Sequence, residues 1–204
     1  MAASVQSPAD VVNLAARRIG YKLRVGSLYD GSALAMAALD IYAQTRDETL
    51  RGFDWGFAER NVAGTLLKQA PPGGYNPATG WSSAYPPLPY FFEYAYPGDC
   101  LKVRSVRPTP ILIPNFDPRP NLVREYNDSS LNPPQKVILC NVPQAIIVYT
   151  GQVTDMTTWE ADFVEALAAA LGRRLAPGLL NAEAAKSAAQ DEAASTALAE
   201  SREG

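Results

Sequence analysis

The strongest pattern in the chain is a ladder of large apolar residues four apart: Trp159, Phe163, Leu167, Leu171 and Leu175, with Ala166 and Ala170 beside them. That spacing places one face of an α-helix against a core. Thr157 and Glu160 have the spacing of a capping box, so the helix is expected to start there, and Pro177-Gly178 is expected to end it. Two further helices are expected near the start. Ser7-Pro8-Ala9-Asp10 carries a cap, a first-turn proline and an acid at the positive end of the dipole. Val11, Val12, Leu14, Ala15 and Ile19 then form an apolar stripe, and Gly20 offers a left-handed end. Residues 21–31 read as a loop with Leu23, Val25 and Leu28 tucked against the body. Ser32 opens a second helix whose inner face is Leu34, Ala38, Ile41, Tyr42, Thr45 and Leu50. Ala35 to Ala38 is small-sided there, and Gly56 between Trp55 and Phe57 lets the chain bend.

The middle of the chain changes character. Residues 71–89 form a long loop rich in proline and glycine. Short β-prone runs follow at Tyr90–Tyr96, Leu101–Val106, Ile111–Ile113, Leu122–Tyr126, Lys136–Cys140 and Ala145–Thr150. No helix separates them, so an antiparallel meander is expected. The expected fold is α+β: a helical bundle from residues 7–65 and 155–178, an inserted antiparallel β subdomain, and an extended C-terminal helix. The boundaries are 1–70 for the first part of the helical body, 71–150 for the Pro-rich loop and β insertion, 151–178 for the returning helix, and 179–204 for a C-terminal arm. Two aromatic blocks, Phe53 to Arg60 and Tyr90 to Leu101, read as the two sides of the joint between body and insertion.

Composition narrows the chemistry. The 204 residues are 47% hydrophobic and 19% charged, enough for one core with an inserted subdomain. No apolar run approaches a membrane span, and Met1-Ala-Ala-Ser-Val lacks the features of a signal peptide, so a cytosolic origin is expected. Histidine is absent, which excludes His-based triads and His-ligated metals. Cys100 and Cys140 are far apart without a CxxC neighbour and read as free thiols in a reducing compartment. No metal or cofactor is expected. The net charge of −3 falls entirely on residues 179–204, where five acids face two bases. No basic stripe marks a nonspecific DNA-binding face.

The remaining motifs have plain structural readings. Asp155, Glu160, Asp162 and Glu165 can be read as general acid/base carboxylates, but acids at a helix start complement the dipole. Pro72-Gly73-Gly74 lacks the Lys-Ser/Thr of a phosphate loop. Arg17-Arg18 and Arg173-Arg174 fall near helix C-termini, where bases satisfy carbonyls. The Tyr90–Tyr96 run can stack nucleobases, though packing is the commoner use. The stretch from 181 to 204 is Ala-rich with Leu198 as its only large apolar residue, so alone it is a marginal helix that needs a partner surface.

The order of elements resembles a known family. Val12-Asn13-Leu14-Ala15-x-x-x-Ile19-Gly20 precedes a long helix with Tyr42 and Leu50, then Trp55-Gly56-Phe57-Ala58. Tyr94-x-Tyr96-Pro97-x-Asp99-Cys100-Leu101 follows, then Val148-Tyr149-Thr150, then Asp155-x-x-x-Trp159-x-x-x-Phe163 and the Leu/Ala helix. Over about residues 11–180 this resembles the head-to-tail adaptor proteins of tailed bacteriophages, especially the tail tubular protein A group. The resemblance implies a structural, non-enzymatic virion protein at the head–tail junction, assembled in the host cytoplasm. It implies a homo-oligomeric ring, usually a dodecamer, below the portal protein. Such a ring docks a nozzle or other tail protein and passes DNA through its lumen without specific binding, with no membrane involved. The C-terminal segment would then dock on the portal through Leu179, Leu180, Lys186 and Leu198. Trp55, Phe57, Tyr94, Tyr96, Trp159 and Phe163 would serve subunit or core packing. A weakly acidic chain suits a channel that must not grip phosphates. One rival is a carboxylate-dependent glycan-degrading tail component using Asp99 with Asp155 or Glu160. A weaker rival is a nucleic-acid binder working through the Tyr90–Tyr96 aromatics.

Overall fold

A computed structural model describes residues 7–75, 80–109 and 122–180. The chain divides into two compact units, Phe53–Val153 and the flanking Met1–Gly52 with Thr154–Gly204. The architecture is mixed α+β, with the antiparallel β unit inserted between helical segments.

In the helical unit, α1 spans Pro8–Arg18 and starts on a reciprocal cap. The Asp10 N–H donates to Ser7 Oγ at 3.3 Å, and the Ser7 N–H donates to Asp10 Oδ2 at 2.9 Å. Each bond satisfies a donor that the first helical turn leaves without a carbonyl. Val11, Val12, Ala15 and Ala16 are buried. Gly20 follows with φ +77°, a conformation a β-carbon disfavours, and the helix stops. Asn13 holds the next loop by accepting from the Val25 N–H and donating to the Val25 carbonyl. That anchoring buries Tyr21 and Val25, whereas Leu23, expected to tuck in, is exposed.

Helix α2 spans Ala33–Gly52, and the Ala35 N–H donates to its capping Ser32 hydroxyl. Its buried face is Leu34, Ala35, Ala38, Tyr42, Thr45 and Leu50. The third helix, α3, covers 161–180. It starts later than the Thr157/Glu160 spacing suggests. Residues Met156–Thr158 form a 3-10 turn capped by Asp155, whose Oδ1 accepts from the Thr157 N–H and hydroxyl. That earlier cap uses Thr157, so the expected capping box does not form. The Pro177-Gly178 break is also corrected, because the helix runs on through 180. Proline in a helix interior costs about 3 kcal/mol. Here both residues sit on the exposed side, and continuing the helix buries Leu179 as the next rung after Leu175. Phe163, Leu167 and Leu171 are fully buried. Each such side chain contributes about 1.5–3 kcal/mol. Gly172 lets α3 approach α1: a β-carbon there would stand 3.2 Å from the Ala15 carbonyl oxygen. Arg174 does not cap carbonyls as expected. It donates to Thr45 Oγ1 at 2.9 Å and pairs with Glu48, fastening α3 to α2.

The β unit begins before the expected boundary. Segment 53–70, assigned from sequence to the helical body, holds a 3-10 turn (Gly56–Ala58) and two strands, β1 (Glu59–Ala63) and β2 (Leu66–Gln69). The remaining strands are β3 (Phe92–Ala95), β4 (Cys100–Pro108), β5 (Arg124–Asp128), β6 (Gln135–Cys140) and β7 (Ala145–Gly151). Every pairing is antiparallel, but the order is not a meander: one sheet runs β1-β7-β4 and the other β2-β3-β6-β5. The reason is the apolar run of β7, which needs a neighbour on both edges and finds them in β1 and β4. Tyr94, Ile138 and Cys140 of one sheet share a core with Val106, Ile147 and Tyr149 of the other. The expected strand Ile111–Ile113 lies outside the described residues.

Candidate functional site

The aromatic blocks are packing elements, and both lie in the β unit. Trp55 stands edge-on to Phe53 at 5.1 Å and 6.3 Å from Phe57. Its carbonyl accepts from Arg104 Nη2 at 2.6 Å, while the same guanidinium reaches Glu59 and Thr150. Arg104 on β4 therefore ties the first aromatic block to β1 and β7. Tyr94 is buried, and its hydroxyl donates to the Val142 carbonyl at 2.9 Å. The Tyr96 hydroxyl donates to Glu125 at 3.1 Å, and Lys136 sits 4.1 Å above its ring. Burial raises the pKa of both tyrosines. These rings have partners in their own unit. In the helical unit, Trp159 stands edge-on to Phe163 at 4.9 Å. Trp159 precedes α3 rather than riding on it.

The carboxylates singled out by sequence are held in separate structural roles. Asp99 lies in the β unit and accepts from the Tyr149 hydroxyl at 2.8 Å. Asp155 belongs to the helical unit, where its hydrogen bonds from Thr157 lower its pKa. Glu160 and Asp162 are exposed, and Glu165 pairs with Arg18. Among the described residues, no three metal-ligating side chains converge. Cys100 and Cys140 are free thiols, and burial raises both pKa values, that of Cys140 to about 11.

Sequence reasoning missed a polar cluster on one face of the β2-β3-β6-β5 sheet. Lys68 pairs opposite Glu93, and Glu93 opposite Leu139, so their side chains share that face. Lys68 donates to Asp128 and, at 2.7 Å, to the Ser130 hydroxyl. Ser130 in turn donates to Asp128 through its N–H and hydroxyl. Burial works to raise the pKa of Asp128, but the bonds from Lys68 and Ser130 outweigh it and bring the value down to about 2. Glu93 is 0% exposed, and neither carboxyl oxygen has a hydrogen-bond partner of normal geometry. Burial raises its pKa to about 7, with Lys68 opposing and Asp128 reinforcing. Two carboxyls with pKa values pushed apart can mark acid/base chemistry. Complete burial of Glu93 gives a substrate no approach to it, so the cluster is a structural one.

One open site is on the helical unit. A groove of about 430 Å³ lies between the start of α1, the loop around Tyr29, α2 and residues 154–159. Pro8, Tyr29, Leu39, Tyr42, Met156 and Trp159 give it an apolar wall. Tyr42 is 7% exposed, and burial raises its pKa to about 12 against the opposing Arg46 charge. The Tyr42 hydroxyl and Trp159 Nε1 are buried without a hydrogen-bond partner among the described residues. Nothing in the sequence signals this, because the two residues read as core rungs.

Of the residues expected to dock on a portal, Leu179 is buried. Leu180 is exposed. Lys186 and Leu198 lie outside the described residues. Among the described residues, no helix is long and apolar enough to cross a membrane. No family model matches the chain, and no curated protein matches it.

Proposed function

We propose that this chain is a structural head–tail adaptor. Copies assemble into a ring, a dodecamer in the reading that the motif order supports. The ring joins the portal protein to a nozzle or other tail protein and leaves a channel for DNA. The reading carries no enzymatic step.

The observation that carries it is the exposed apolar surface of the helical unit. Leu23, Tyr29, Met36 and Leu39 are all exposed, Tyr29 at 81%. Exposed large apolar side chains occur on the β unit as well, at Phe53, Trp81 and Leu88, which suits a subunit that meets neighbours through each unit. Ring contacts are heterologous and need unlike faces on each subunit, which a helical unit and a β unit can supply. Of the carboxylates offered by the glycan-degrading rival, Asp99 is held by the Tyr149 hydroxyl and Asp155 caps a turn.

The test is co-sedimentation of the full chain with portal rings, compared with a chain truncated after Leu180. The full chain is expected to bind and the truncated one to remain folded and lose binding. No binding by the full chain would overturn the adaptor reading. Undiminished binding by the truncated chain would remove the role of the arm. Truncating there, rather than at residue 179, leaves the buried Leu179 in place.

A further inference from the structure

Two surfaces of the helical unit carry opposite charge and lie at opposite ends of α1. At the end of the helix, Arg17, Lys22, Leu23 and Arg24 line a hollow of about 300 Å³ that no acid lines. The three bases are exposed and make no ion pair among the described residues, whereas Arg18 beside them pairs with Glu165. Helix capping does not occupy them either. The Ala16 and Arg17 carbonyls already accept from the Tyr21 and Gly20 N–H groups, at 3.0 and 3.1 Å. Asn13 holds Val25 by two hydrogen bonds at mid-helix, which keeps Leu23 at the far end. There Leu23 is 63% exposed between two cations.

At the start of α1 is the groove of about 430 Å³. Its wall is apolar, and Tyr29 and Leu39 on it are exposed. Its rim is acidic. Asp10, Asp30, Asp40, Asp155 and Glu160 each adjoin a lining residue in sequence, and all five are exposed. The one base in the lining, Arg46, pairs with Asp47, and its side chain is only 12% exposed. The eleven residues of α1, about 16 Å of helix, separate the hollow from the groove. One copy's Leu23 therefore cannot fill its own groove.

We propose that Leu23 of one copy of this chain enters the groove of a second copy, with Lys22 and Arg24 against its acidic rim. A leucine flanked by bases and an apolar groove rimmed by acids match in polarity and in charge, and such matching fixes partner and register. Both surfaces belong to the helical unit, so the contact needs nothing from the β unit. They are different surfaces, so the contact is head-to-tail, and it closes into a ring when the rotation between copies allows. The patch is small, which makes a single contact weak, and its exposed charges make it sensitive to salt. The inference rests on the ring reading in taking a second copy as the partner, and it needs no portal.

The experiment follows the mass of the full chain by sedimentation equilibrium over a wide concentration range, at about 50 mM and about 500 mM salt. At the lower salt the mass is expected to rise at high concentration, and the rise should shrink at the higher salt. Arg24→Glu alters the loop and Glu160→Lys the rim. Each alone is expected to associate about 10-fold more weakly than the parent. Each should also keep the parent's thermal midpoint, because both side chains are exposed. Mixed in equal amounts the two are expected to recover association, since the loop of the Glu160→Lys chain still meets an intact rim on the Arg24→Glu chain. Leu23→Ser is expected to weaken association by a similar factor without changing its salt dependence. A chain monomeric at every concentration in low salt would overturn the inference. So would association indifferent to both charge reversals, or a mixture no stronger than either variant alone. Loss of self-association with portal binding intact would overturn this contact alone. Salt-sensitive self-association without any portal binding would sink the adaptor reading and leave the contact standing.

Discussion

Lys68 and Glu93 stand opposite each other across β2 and β3 with 3.8 Å between Nζ and Oε1, yet Lys68 gives its hydrogen bonds to Asp128 and Ser130. Glu93 is left buried beside them, with the Lys68 charge nearby and no hydrogen bond to its carboxyl oxygens. The arrangement makes stability depend on pH in two opposite senses.

Glu93 has an ordinary pKa of 4.5 and a folded value of about 7. The folded chain holds a proton there that the unfolded chain releases. Its contribution is therefore full below about 4.5 and fades as pH rises through 7. Asp128 behaves oppositely, with 3.8 lowered to about 2, so its contribution is present above 3.8 and fades as pH falls through 2. Urea unfolding across pH is expected to show greatest stability near about pH 4–5 from this cluster, with a decline of at most about 3 kcal/mol toward pH 8. Equal stability at pH 5 and pH 8 would contradict this.

Glu93→Gln keeps the shape and removes the titration. The variant is expected to match the parent near pH 4.5 and to exceed it at pH 8, flattening the decline. Thermal midpoints at the two pH values measure the difference directly. A variant less stable than the parent at pH 8 would mean that Lys68 needs the Glu93 charge.

Phe163 is fully buried at the first turn of α3 and packs edge-on against Trp159. Phe163→Ala is expected to cost about 3–5 kcal/mol in urea unfolding. Because Trp159 stands outside the helix and is only half-buried, Trp159→Phe should cost much less. Equal losses for the two would place Trp159 in the core proper.

The Pro-rich loop gives a cleavage prediction. Trp81 is exposed and residues 80–90 form no regular strand or helix, although its indole N–H, like the Tyr75 hydroxyl, donates to the Pro86 carbonyl. Limited chymotrypsin digestion is expected to cut first after Trp81, as read by fragment masses. A chain resistant between 70 and 89 would show that this loop is packed throughout.

Much of the helical unit was legible because Val11, Val12, Leu34, Ala38, Leu50, Phe163, Leu167 and Leu171 repeat at helical spacing, and that spacing survives in the buried set. The strand β1 was not legible. Glu59, Arg60 and Asn61 are polar and exposed, and they pair only because β7 offers a free edge. The start of α3 was misplaced because Trp159 continues the ladder in sequence while Asp155 claims Thr157 for an earlier turn. Lys68, Glu93 and Asp128 come together through sheet pairing between strands distant along the chain, which no local pattern encodes. The unpaired donors of Tyr42 and Trp159 are likewise invisible in sequence, since a core aromatic and a groove aromatic have the same spacing.

The most direct test of the adaptor account is the mass of the purified full-length chain measured alone and again with portal rings. The account predicts small species alone and, on the portal, a stoichiometric ring of the chain, dodecameric on a dodecameric portal. A chain that remains free in the presence of intact portal rings would contradict it.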